Sequence, residues 1–95
     1  MQIQHIEEKE MFELLSDEGN PAGEMDYRVA NPHLIYATHT EIYKGFEGKG
    51  YGGVLLEALV KWARDNGKKI YPTCPYVVRA FDKEPEKYVD LDARL

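Results

Sequence analysis

The chain has one cysteine among its 95 residues, so no disulfide can close within it and no second thiol can share a zinc ion. It also lacks any apolar run near the roughly 20 residues that a membrane-crossing helix needs. Bases are in the minority: 12 lysines and arginines stand against 17 aspartates and glutamates, and the net charge of −5 repels nucleic-acid phosphates and anionic lipid. The opening, Met1 to Glu8, has neither the basic start nor the apolar stretch of an export signal, so the expected location is the cytoplasm. There is no internal repeat and no low-complexity tract. With 43% hydrophobic and 31% charged residues, the expectation is one small globular domain spanning residues 1–95.

Charge is unevenly spread. Residues 1–26 carry eight acids against Lys9 alone, while residues 44–69 carry six bases against three acids. Only the second segment is hospitable to an anion; the first would draw cations.

The first half has strand character. Ile3–Ile6 and Met11–Leu15 are short apolar-rich runs, and Ser16 to Gly23 is dense in turn formers. Met25, Tyr27 and Val29 alternate with Glu24, Asp26 and Arg28, the two-residue period of a strand with one wet face. Asn31-Pro32 breaks that run. From His33 to Tyr43 the residues are β-branched and aromatic, and strict alternation places Ile35, Ala37, His39, Glu41 and Tyr43 on one face. Tyr51–Asn66 then changes to helical period, with Leu55, Leu59 and Trp62 as a core stripe and Glu57 four residues before Lys61 as an ion pair. Gly67 falls where a helix end takes left-handed geometry. A short strand, Lys68–Tyr71, ends at Pro72. Pro75 suits the first position of a helix running to about Lys83, with Cys74 at its N-cap, and Pro85 opens one last turn.

Between the His33–Tyr43 strand and the long helix lies Phe46-Glu47-Gly48-Lys49-Gly50-Tyr51-Gly52-Gly53. Backbone amides ahead of a helix attract anions, and glycine removes the Cβ atoms that would hold an anion away. A P-loop is excluded, because no glycine here precedes Lys-Ser or Lys-Thr at the required offset. Gly48, Gly50 and Gly53 satisfy a dinucleotide fingerprint, but the acidic residue due about 20 positions later is replaced by Lys68-Lys69-Ile70-Tyr71. The order strand, glycine loop, long helix, strand matches instead the diphosphate loop of an acyl-CoA-dependent acetyltransferase.

The chain resembles the GNAT superfamily of N-acetyltransferases, whose loop runs Gln/Arg-x-x-Gly-x-Gly/Ala and here corresponds to Glu47-Gly48-Lys49-Gly50-Tyr51-Gly52. Gly50 and Gly52 match; Glu47 departs from the pattern and leaves the task to backbone amides. It is similar over nearly its whole length to very small members with a His-Thr strand, a Gly-x-Gly loop and a Cys-Pro/Ser-Tyr element, here His39-Thr40-Glu41-Ile42, Gly48-Lys49-Gly50 and Cys74-Pro75-Tyr76. The resemblance implies an abbreviated GNAT acyl-CoA N-acyltransferase fold of α+β class. Such a fold has a mostly antiparallel sheet, one long helix after the loop and short C-terminal helices. It also implies acetyl-CoA as cosubstrate without a metal, and a cysteine near the thioester. The backbone of Ile42 and Tyr43 would grip pantetheine, residues Glu47, Gly48, Lys49, Gly50, Tyr51, Gly52 and Gly53 the diphosphate, and Tyr76 and Arg79 either CoA or the acceptor.

Transfer of an acetyl group to an amine needs the donor held and the acceptor deprotonated. Cys74 opens a covalent route through its thiolate. A thiol of ordinary pKa near 8.5 is only a few per cent ionised at neutral pH, and a helix N-terminus adds about 0.3–1 kcal/mol, less than one pKa unit. A partner is required, and His39 is the candidate, while Glu41 fits the base that strips an ammonium acceptor. The bland alternatives are an inert buried Cys74, a core His39 and an exposed Glu41. The expected activity is acetyl-CoA-dependent N-acetyl transfer to an amine of a small molecule or a protein, by a monomer or weak dimer. The alternative is a CoA-binding or protein-interaction module without turnover.

Overall fold

The computed structural model covers residues 1–95 and arranges them as β1 (Gln2–Ile6), β2 (Met11–Leu15), β3 (Pro21–Asn31), β4 (Leu34–Ile42), α1 (Tyr51–Asp65), β5 (Lys69–Pro72), α2 (Pro75–Lys83) and α3 (Pro85–Tyr88). Strands follow chain order across one five-stranded sheet. β1 to β4 are antiparallel hairpin neighbours, and α1 carries the chain over so that β5 joins β4 in parallel. The turn before β3 is tighter than its turn-forming residues suggest, since Pro21, Ala22 and Gly23 already belong to the strand.

One sheet face is packed. Phe12 and Leu14 of β2, Met25 and Tyr27 of β3, Ile35 and Ala37 of β4 and Ile70 of β5 form a single buried cluster with Leu55, Leu59 and Ala63 of α1 and Val77 and Phe81 of α2. His5 and Trp62 close this cluster at the β1 end, with ring centroids 4.7 Å apart. Leu56 and Val60 widen the buried stripe of α1, whereas Trp62 and Ala58 are only partly buried against it. The other sheet face carries Gln4, Glu13, Glu24, Asp26, Arg28 and Glu41 and stays at least partly exposed.

Helix α1 stops as its sequence directs. Gly67 takes φ +64°, the Lys68 amide donates to Ala63 O at 2.8 Å and the Gly67 amide to Arg64 O at 3.3 Å, which satisfies the last carbonyls of the helix. The expected Glu57–Lys61 pair is not made: Lys61 instead reaches one turn onward to Asp65 at 2.7 Å. Beyond α3 the chain returns along β5, with the Ile70 amide donating to Leu91 O at 2.7 Å and Ala93 to Ile70 O at 2.9 Å. This return covers the outer edge of β5, which would otherwise template further strand pairing.

The strict alternation expected along β4 is interrupted. Asp26 pairs with His39 but Tyr27 pairs with Ala37, so Thr38 is an extra residue with no partner in β3. Such a bulge reverses which side chains face the core. Ile35 and Ala37 point inward before it, Thr40 and Ile42 after it, and His39 and Glu41 lie on the exposed face. His39 and Glu41 therefore share a face with each other but not with Ile35 and Ala37.

Candidate active site

β4 and β5 are paired only from Leu34–Lys69 to Ala37–Pro72. There the strands part. Ala37 O receives three hydrogen bonds, from the Thr73 amide at 3.0 Å, the Cys74 amide at 2.9 Å and the Thr73 hydroxyl at 3.0 Å, and these turn the chain away from β4 into α2. The rest of β4, residues 38–42, is left without a neighbour on its β5 side. Tyr43 donates its amide to Ala22 O at 2.9 Å and accepts from the Phe46 amide at 3.0 Å. Both its main-chain groups are thus engaged, and the alternation of an antiparallel ladder turns those of Ile42 and Thr40 toward the fork. Of the two residues expected to offer free backbone there, Ile42 does and Tyr43 does not.

Past the fork, Gly48 and Gly50 each adopt φ +77°, a left-handed geometry that an L side chain resists, and Gly50 caps α1. The amides of residues 47–53 donate to no protein group; the first bond of the helix is from Val54 to Gly50 O at 3.4 Å. A row of unsatisfied donors at the positive end of a 15-residue helix is an anion cradle. Phe46 and Tyr51, with ring centroids 6.3 Å apart, brace the loop from beneath. Glu47 does not point into the cradle, since its carboxylate accepts from the Gly45 amide at 2.8 Å and so pins the loop. Lys49 is exposed and makes no ion pair. Tyr76 lies against the first turn of α1: a Cβ on Gly52 would stand 2.9 Å from its ring carbon Cζ and 2.9 Å from its hydroxyl.

Cys74 caps α2 with Pro75 behind it, as the sequence suggests, and is 4% exposed. Its thiol donates to Thr40 Oγ1 at 3.3 Å, placing it at the inner side of the fork. His39 follows the opposite face of β4 and instead sets Nε2 3.4 Å from Glu41 Oε1. The arrangement in which His39 activates Cys74 is not the one the fold makes, because one residue along a strand is the other side of the sheet.

The exposed face beside His39 and Glu41 gathers carboxylates whose two-residue alternation by itself marks only a wet strand face. Register sets Glu24 opposite Glu41 and Asp26 opposite His39, with Glu13 beyond Glu24. Tyr43 donates its hydroxyl to Glu24 Oε1 at 2.6 Å. That bond holds Glu24 below the usual carboxylate range, whereas burial and then the neighbouring Glu24 push Asp26 up to about 6. Burial and the same Glu24 raise Tyr43. Asp26 Oδ1 is enclosed and has no partner. The signal for this group was the hairpin at Asn31-Pro32, which fixes who faces whom only once the Thr38 bulge is known. No group of three His, Cys, Asp or Glu side chains has the geometry to hold a metal.

A sheet that forks ahead of a glycine cradle and a long helix defines the acyl-CoA N-acyltransferase class. Residues 11–91 match the family model described as GCN5-related N-acetyl-transferase, and the chain belongs to that family. A GCN5-like N-acetyltransferase candidate from Staphylococcus aureus, solved by NMR, is 31% identical over 96% of this chain and 86% of its own, with a TM-score of 0.75. N-acetylglutamate synthase from Neisseria gonorrhoeae, crystallised with coenzyme A and N-acetyl-glutamate, is 21% identical over 79% of this chain and 18% of its own, with a TM-score of 0.64. Rv2747 of Mycobacterium tuberculosis, crystallised with coenzyme A, is 18% identical over 66% of this chain and 40% of its own, with a TM-score of 0.59. No curated protein matches. The protein is an N-acetyltransferase whose cosubstrate is acetyl-CoA, and no helix in it is long and apolar enough to cross a membrane.

Proposed function

We propose that this enzyme moves the acetyl group directly onto a cationic amine, of a small molecule or a protein, across the fork between β4 and β5. The observation that carries this reading is the run of amides from Glu47 to Gly53, unpaired within the protein and adjoining the free edge of β4. Acetyl-CoA, when bound, supplies an activated thioester. The loop amides and the α1 dipole hold its diphosphate, with Lys49 alongside, and the main chain of Thr40 and Ile42 holds its pantetheine arm. Tyr76 supports the loop from the α2 side.

The acceptor arrives on the exposed face, where Glu13, Glu24, Asp26 and Glu41 attract an ammonium. Glu41 pairs with the incoming cation. The Glu24–Asp26 pair takes its proton, Asp26 being the carboxylate that burial and Glu24 raise to about 6. Cys74 shapes the inner wall through its bond to the neutral hydroxyl of Thr40 and takes no acetyl group. A lone unpaired thiol suits a reducing compartment, and we place the enzyme in the cytoplasm as one domain.

Calorimetric titration with CoA and with NAD side by side tests the cradle, and mass spectrometry of an amine panel incubated with acetyl-CoA tests the transfer. We expect CoA alone to bind and cationic amines to gain an acetyl group. CoA that binds while every amine stays unmodified would support a binding module without turnover. An absence of CoA binding would end the acetyltransferase reading.

A further inference from the structure

Two tyrosines stand uncovered at the base of the fork. Tyr36 and Tyr71 pair across β4 and β5 one residue before Ala37 and Pro72, the last pair that the two strands make. They are 37% and 41% exposed and meet edge to face, with ring centroids 5.7 Å apart. A large apolar residue left singly on a surface needs no explanation. Two aromatic rings packed together beside the fork form a patch, and tyrosine is enriched where one protein docks on another.

Register puts this pair on the acceptor side of the sheet. Arg28 of β3 lies opposite Tyr36, and Asp26, two residues earlier on the same face of β3, lies opposite His39. Arg28 turns to Glu10, 3.9 Å away. The tyrosine row is thus about 7 Å, two residues of strand, from the carboxylates that meet the ammonium. An extended polypeptide presents every second side chain to one face at that same interval. The three cavities of the molecule are lined by no residue of β1 to β4, so an acceptor on this face meets an open surface. Small ligands are held in concave pockets, whereas protein partners pack on open surfaces.

We propose that the acceptor is a lysine of a protein, and that the Tyr36–Tyr71 pair selects it by packing against an apolar or aromatic side chain two residues away from that lysine. The proposal rests on the reading above, in which the acceptor arrives along the exposed sheet face. Charge agrees with it: the ammonium goes to the carboxylates and its apolar neighbour to the uncharged rings. The lysine ammonium gives one proton to the Glu24–Asp26 pair, and its nitrogen bonds to the acetyl carbon as the thioester C–S bond breaks. The departing CoA sulfur takes a second proton from that nitrogen.

The test uses two peptides, Gly-Phe-Gly-Lys-Gly-Phe-Gly and the same peptide with alanine for phenylalanine, blocked at both ends so that lysine holds the sole amine. Acetylation is followed by mass spectrometry with the wild type, with Tyr36→Ala/Tyr71→Ala and with Tyr36→Phe/Tyr71→Phe. We expect the wild type to prefer the phenylalanine peptide by about fivefold in kcat/KM, the effect of one aromatic contact. The alanine variant should bring that ratio toward one, and the phenylalanine variant should keep it. Equal kcat/KM for the two peptides in the wild type would overturn the proposal whether or not the variants fold. So would an alanine variant that retains the preference, or acetylation of small amines with both peptides untouched; each of these leaves the acetyltransferase reading intact. If neither the peptides nor any small amine is acetylated, the transfer reading falls and the proposal falls with it.

Discussion

The thiol of Cys74 donates to the hydroxyl of Thr40 across 3.3 Å, joining the start of α2 to the unpaired edge of β4 where the sheet forks. The side chain is only 4% exposed, and its one side-chain hydrogen bond is to this neutral hydroxyl. We therefore predict that Cys74 takes no acetyl group and that its bond to Thr40 ties the two sides of the fork together.

Cys74→Ser keeps a donor of similar reach. We expect acetyl transfer to stay within about fivefold of wild type, the cost of a modestly altered neutral hydrogen bond. Intact-mass measurement of the wild type after incubation with acetyl-CoA should show no acetyl adduct at Cys74. A stable adduct at that residue, together with an inactive serine variant, would restore the covalent route.

Gly52 and Tyr76 are in a contact so close that any side chain at Gly52 would force the Tyr76 ring to move. A Cβ at Gly52 would meet the Tyr76 ring and hydroxyl at 2.9 Å, whereas one on Gly53 would stand 4.0 Å from the hydroxyl. Gly52→Ala should lose about 1–3 kcal/mol of stability through overpacking and weaken CoA binding with it. Gly53→Ala should unfold like wild type, read by thermal melts. Adding Tyr76→Ala to the Gly52→Ala protein should recover part of the loss; if it recovers none, the contact is not the cause.

Much of this architecture can be read from residue patterns, because local chemistry and global fold agree. Pro75 starts α2, Gly67 ends α1, and the β2 run lies where its apolar residues put it. The Thr38 bulge was not legible, since one extra residue leaves both halves of β4 with a two-residue period and changes only their phase. The reassignment of His39 follows from that single residue. Glu24 and Asp26 were hidden for a related reason: on a strand they are ordinary outward acids, and only cross-strand register brings them beside Glu41 and His39. Lys61 chose Asp65 over Glu57, a choice between two helical neighbours that spacing alone does not decide.

Asp26 ionises less readily in the fold than free in water, so its sign is the reverse of a salt-bridged carboxylate. Its pKa rises from 3.8 to about 6, which means that folding favours the protonated form and that this contribution is lost as pH climbs from the first value through the second. Asp26→Asn, permanently neutral, should be the more stable protein at about pH 7.5 and lose that advantage toward about pH 4. The same variant should flatten the acid limb of kcat/KM near pH 6, where Asp26 titrates. Identical melting differences at both pH values would show that the carboxyl is not held neutral by its surroundings.

His5 works in the opposite sense on the other face of the sheet. Its ring stacks on Phe12 with centroids 4.1 Å apart, and its Nε2 lies 2.6 Å from the hydroxyl of the buried Tyr27. Burial lowers its pKa below 6.5, so folding favours the neutral imidazole; its contribution is present above that value and is lost as pH falls below it. His5→Gln retains a polar group for Tyr27 but cannot acquire charge. Melting temperatures followed from about pH 7.5 down to about pH 5 should therefore fall less steeply in the variant than in the wild type. Because Asp26 is unchanged in both proteins, its opposing slope cancels in the comparison. Parallel curves would mean that His5 charges freely in the folded state and that its packing among Phe12, Tyr27 and Trp62 does not hold it neutral.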